Sequence, residues 1–78
     1  MRNHELKIEP KYFERVVGNE KKFEIRLNDR DFQAGDGLVI KEYLNGVYTG
    51  RELLCSITYV LMNVPGLKKG YCIFSLQW

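Results

Sequence analysis

The chain has 78 residues, a length that suits one domain over residues 1–78, with a core close to the smallest that holds a fold without staples. Charged residues make up 28% of it but leave a formal net charge of only +2, which excludes nucleic-acid binding through bulk charge and leaves only a local cluster to supply such contacts. No run approaches the roughly 18 consecutive apolar residues of a membrane helix, and the charged N-terminal run is unlike an apolar leader, so a cytoplasmic protein is expected.

Glu5-Leu6-Lys7-Ile8 alternates polar and apolar residues and predicts a short first strand. Pro10 suits the first turn of a helix, in which Tyr12, Phe13, Val16 and Val17 form one apolar stripe. Phe13 and Val16 are expected to dock that helix. Gly18-Asn19 supplies the stop, since both residues tolerate the left-handed conformation of a helix end.

The next segment combines strict alternation with dense charge. Phe23, Ile25 and Leu27 recur at period two, so Lys22, Glu24, Arg26 and Asn28 share the opposite face. The apolar set is expected to join Phe32, Val39, Ile57 and Phe74 in the core. On the polar face the Cβ atoms of Glu24 and Arg26 are roughly 7 Å apart, close enough to pair or to share a ligand, and Lys21 can swing to the same rim. The blander reading is a solvated ion-pair ladder, worth about 0–1 kcal/mol per exposed pair. Either way, Arg26→Ala is expected to leave stability nearly unchanged.

Residues 28–37 are rich in turn formers around one aromatic, Phe32, and predict a structured loop whose phenyl ring plugs the interior. Residues 38–44 form a third strand. Asn45-Gly46 is a strong type I′ hairpin signal, with residues 47–49 as the return arm. Residues 53–61 and 71–78 complete the strands, separated by a Pro- and Gly-containing connection. The sum is an α+β, mainly β fold of five or six strands with one principal helix, which barrel closure would free of exposed edges. Cys55 and Cys72 lack a C-x-x-C spacing and His4 is the lone histidine, so free buried thiols are expected, with no metal and no cofactor. A monomer is expected.

Lys21-x-x-Glu24-x-Arg26 after a helix and tight turn, running into Asn28-Asp29-Arg30-Asp31-Phe32 and then Gly35-Asp36, resembles the ASCH domain of the PUA-like superfamily. The likeness is nearest to a short bacterial and phage branch of unknown function. Asn19 stands where that family usually has Gly. The resemblance implies a PUA-like five- to six-stranded β-barrel with a ligand cleft between barrel and helix, lined by Lys21, Glu24 and Arg26.

It also implies a small binding domain for RNA, in single-stranded form, or for a nucleoside-like molecule. In that role Arg26 and Arg30 would meet phosphate, with Lys21 as a point charge. Asn28 and Asp29 would read a base edge, and Tyr43 or Tyr48 would stack on an unpaired base. A second implication is a small amidohydrolase acting on a modified nucleoside such as N4-acetylcytidine. Lys21 matches the catalytic lysine of that branch, whereas Glu24 stands in place of its threonine, and a carboxylate cannot take a hydroxyl's role. A protein adaptor that uses residues 66–69 and Trp78 is a third reading.

Overall fold

Among the described residues, five strands and one helix follow in the order β1 (Asn3–Ile8), α1 (Pro10–Val17), β2 (Phe23–Leu27), β3 (Gly37–Leu44), β4 (Val47–Met62) and β5 (Tyr71–Gln77). This computed structural model describes residues 2–78; Met1 lies outside the described residues. The helix starts with Pro10 in its first turn, where a missing N–H breaks no hydrogen bond. It ends at Gly18, and Asn19 takes the left-handed conformation (φ 65°) with its N–H donating to the Val16 carbonyl at 3.0 Å. Phe13 and Val16 are buried, whereas Tyr12 and Val17 stay exposed, so the docking stripe is narrower than the apolar spacing suggested.

Asn45 and Gly46 both have positive φ (51° and 82°) between the paired residues Leu44 and Val47, as a type I′ turn requires. The return arm does not stop at residue 49. β4 is one sixteen-residue strand, so the two segments expected separately merge and the strand count is five. Its first part pairs with β3 up to Ser56, and from Ser56 onward it pairs with β5. A register shift between Ile57 and Tyr59 marks the bend through which the strand carries the sheet round.

The sheet order is β1-β3-β4-β5-β2, with β1 parallel to β3 and every other pair antiparallel. The sheet curls into a half-barrel whose inner face is built from Leu6, Ile8, Leu38, Ile40, Ile57, Phe74 and Leu76, covered by Phe13 and Val16 of α1. Val39, expected in the core, is half-buried because the inward positions of β3 are Leu38 and Ile40. Phe32 is 2% exposed, its ring centroid 4.8 Å from that of His4 and 4.9 Å from that of Phe74, and it plugs the interior as expected. Cys72 is buried and Cys55 half-buried, and both are free thiols.

The loop from β2 to β3 is pinned at three points. Asn28 Oδ1 accepts the Phe32 N–H at 2.8 Å, Asp36 Oδ2 accepts the Gln33 N–H at 3.0 Å, and His4 Nε2 lies 2.8 Å from the same Asp36 oxygen. Burial acts to raise the Asp36 pKa, but the His4 and Gln33 hydrogen bonds, with the charges of Arg2 and His4, outweigh it and hold the carboxyl below its ordinary value.

β2 corrects one expectation outright. Its alternation is real, but the faces are exchanged: Phe23, Ile25 and Leu27 are 50%, 55% and 51% exposed, whereas Glu24 is 5% exposed. Pairing sets Glu24 opposite Phe74 and Arg26 opposite Cys72, both of them interior residues. The reason is the position of β2 at the sheet's edge. Its inner face meets the open mouth of the half-barrel, where a paired charge can be satisfied, while its outer face continues an apolar convex surface.

Candidate functional site

β1 and β2 are the two free edges of the curled sheet, and α1 is the segment that joins them in sequence. The fold therefore leaves a seam between these edges and sets the helix beside it. Side chains bridge the seam in place of a backbone ladder. Arg26 Nη2 donates to the Lys7 carbonyl at 2.8 Å, and Arg30 Nη1 donates to the Glu5 carbonyl at 2.6 Å. Glu5 and Lys7 are two apart on β1, so their carbonyls face the same edge.

Glu24 anchors the inner end of this arrangement. Its Oε2 accepts from Arg26 Nε at 3.1 Å, and its Oε1 is ion-paired with Lys21 Nζ. A carboxylate this deeply buried needs such partners, because an unpaired charge there would cost several kcal/mol. Lys21 Nζ also donates to the Phe23 carbonyl at 2.7 Å and sits 5.1 Å from the Phe23 ring centroid and 5.9 Å from that of Tyr12. With these contacts made, Lys21 keeps one ammonium donor and Arg26 keeps three guanidinium N–H groups.

An open cleft of about 730 Å³ lies between α1 and the seam. Its apolar walls are Ile8, Tyr12, Phe23 and Ile25, and its charged groups are Lys7, Arg15, Lys21 and Arg26 against Glu9, Glu20 and Glu24, four cations to three carboxylates. Arg15 pairs with Glu20 at 2.9 Å and Glu9 with Lys11 at 3.8 Å. Among the described residues Lys7 has no carboxylate within ion-pair distance; its Nζ lies 4.6 Å from the Tyr43 ring centroid and 5.9 Å from that of Tyr48. Lys7 and Arg26 also line an adjoining groove of about 310 Å³ that carries Arg30, Lys41 and Tyr48.

Of the residues singled out from sequence, Lys21, Glu24 and Arg26 converge in the cleft, while Arg30 lines the adjoining groove. Asp29 lies beside Arg30 in a smaller depression of about 200 Å³. Asn28 is turned towards its own loop, where its side-chain oxygen is taken by Phe32. Tyr48 is 48% exposed and packs edge to face on half-buried Tyr43, with centroids 5.0 Å apart. The other residues that line the cleft were not singled out from sequence. Tyr12 and Phe23 had been assigned to apolar stripes facing inward, and Lys7 carried only the signal of an outward position on an alternating strand.

A family model described as "Domain of unknown function (DUF3850)" matches residues 3–76. The chain belongs to that family. This DUF3850 domain is also similar to the "Uncharacterized 12.9 kDa protein in GpA 3'region" of Escherichia phage P2, with 42% identity over 57 residues. That match covers 73% of the chain and 52% of the relative, so the domain spans about half the length of the curated relative it matches.

The thiols of this DUF3850 domain are poor nucleophiles. Burial, and then the nearby Glu24 charge, push the Cys55 thiol up to about 11, and burial with the Asp29 charge raises Cys72 as well.

Proposed function

We propose that the chain is a PUA-like domain of the ASCH type whose cleft holds a nucleotide unit, either free or within single-stranded RNA. One observation carries this reading: aromatic walls from Tyr12 and Phe23 and unused donors on Lys7, Lys21 and Arg26 meet in a single open cleft of about 730 Å³. The volume is in the range of small-molecule sites, about 300–1,000 Å³. A base would lie against the aromatic walls, where stacking tolerates any sequence. The sugar and phosphate would meet Lys7 and the free N–H groups of Arg26. In an RNA, the next nucleotide would run along the groove towards Arg30, Lys41 and Tyr48.

The cleft's small charge excess limits the electrostatic share of binding to one or two phosphates. Lys21 supports a binding role better than a hydrolytic one, since it stands as a donor to Glu24 and to the Phe23 carbonyl. A general base needs a lone pair aimed at the proton it removes.

The test is an amide NMR titration of the labelled protein at about 0.1 M salt, where nonspecific attraction is partly screened. The probes are a short mixed-sequence single-stranded RNA, a nucleoside monophosphate and a nucleoside. Shifts centred on Lys7, Tyr12 and residues 21–26 are expected with at least one of them. The absence of shifts with all three overturns the reading. Salt separates the sources: RNA affinity falls as salt rises, whereas uptake of a neutral nucleoside barely responds.

A further inference from the structure

The outer face of β2, β5 and β4 is apolar and bare. Phe23, Ile25 and Leu27 on β2 and Tyr59 and Leu61 on β4 are 37–64% exposed. Between them, Tyr71, Ile73 and Ser75 of β5 face the same way, because they pair with Leu27, Ile25 and Phe23 on one side and Ser75 and Ile73 pair with Tyr59 and Leu61 on the other. Eight positions across three adjacent strands thus hold no charge, in a chain with 28% charged residues. Lys22, Lys68 and Lys69 stand beyond the ends of the strands. The imbalance extends beyond this face: among the described residues thirteen large hydrophobics are exposed against eleven hydrophobic residues buried in the core.

From these exposures the face presents on the order of 600 Å² of apolar surface, the upper end of what a lone soluble domain shows. With a polar rim it approaches the roughly 800 Å² that each partner contributes to a standard interface.

We infer that this face pairs with a second copy of itself, making the protein a two-fold dimer through the convex side of β2-β5-β4, in place of the expected monomer. Charge reaches this face only at its ends, where Lys21 Nζ lies 5.1 Å from the Phe23 ring centroid and Lys68 Nζ 5.7 Å from that of Tyr71, so its centre offers nothing for a charged partner to recognise. The outer faces of two sheets can pack against each other about 10 Å apart, as the layers of a β-sandwich do. A two-fold operation uses the same patch on both copies and leaves none of it open. Domains of this size often gain from such an association what their own core is too small to provide. Phe23 and Ile25 belong both to this face and to the wall of the cleft, so the pairing borders the cleft, whereas Tyr59 and Leu27, which carry the test, line no part of it.

The experiment is sedimentation equilibrium on the 78-residue chain from about 1 µM to about 500 µM, the span in which an interface at the low end of standard size associates. The apparent mass should rise from monomer to dimer and stop there. Tyr59→Lys and Leu27→Lys, on different strands of the face, should each weaken dimerisation at least tenfold while keeping the far-UV circular dichroism of the parent. Leu54→Lys, exposed on the other half of β4 opposite Val39, should dimerise like the parent. A monomeric mass at every concentration overturns the inference. So does a dimer that both face variants leave intact, or growth beyond two copies.

Discussion

Arg26 ties one free edge of the sheet to the other through Lys7: its Nη2 donates to the Lys7 carbonyl at 2.8 Å across the seam, while its Nε holds Glu24 at 3.1 Å. The residue expected to be a solvated strand charge is therefore part of how the half-barrel is held shut, and it presents its remaining donors to the cleft.

Arg26→Ala should accordingly destabilise the fold by about 1–3 kcal/mol, because it leaves a buried carboxylate short of one partner and a β1 carbonyl without its donor. This replaces the near-neutral effect expected for an exposed charge. Urea denaturation of the variant beside the parent measures it. A loss below about 0.5 kcal/mol would show that the seam bridges contribute little to stability.

Glu24→Gln separates stability from binding. The amide keeps the shape but weakens both ion pairs, so the melting temperature should fall, and the cleft's charge becomes more positive by one. A nucleoside monophosphate should then bind more tightly to the variant than to the parent, with a steeper dependence on salt. Isothermal titration at two salt concentrations reads this, and weaker binding of the anion would mean that Glu24 itself contacts the ligand.

Asp36 sets an acid limit. Its folded pKa lies below its ordinary value of 3.8, so its contribution to stability is complete above that value and is lost as pH falls through the lower, folded pKa. In that window the unfolded chain binds a proton that the folded chain does not. Asp36→Asn should lower stability at pH 7, through loss of charge-assisted bonds to His4 and Gln33, and should narrow its gap from the parent as the pH is taken to about 3. Denaturation curves at both pH values check the sign: a gap that widens in acid contradicts it.

Thiol labelling reports the burial of the cysteines. With Cys55 held near 11 and Cys72 fully buried, the native protein should react with a disulfide reagent at pH 8 far more slowly than the denatured chain, in which both thiols return to ordinary values near 8.5. Stopped-flow absorbance with and without denaturant measures the ratio, and a fast native phase would show that the sheet opens readily beside Cys55.

Local physics in the sequence was enough to specify the helix begun by Pro10 and ended at Asn19, the type I′ turn at Asn45-Gly46, and the Phe32 loop, since each rests on backbone preferences confined to a few residues. It also put Glu24 and Arg26 on one side of β2, because a strand's period admits no other arrangement, and left Lys21, ahead of the strand, able to swing to the same rim. What alternation cannot say is which of two faces looks inward, and a strand reads the same either way. The tertiary structure decided that. β2 lies at the edge of a sheet that curls, so its inner side borders a mouth where Lys21 and Arg26 can satisfy a buried Glu24, and its outer side extends an apolar surface shared with β4 and β5. For the same reason Tyr12, Phe23 and Lys7 became cleft residues: they meet only because the chain returns its first and second strands to the two sides of one seam.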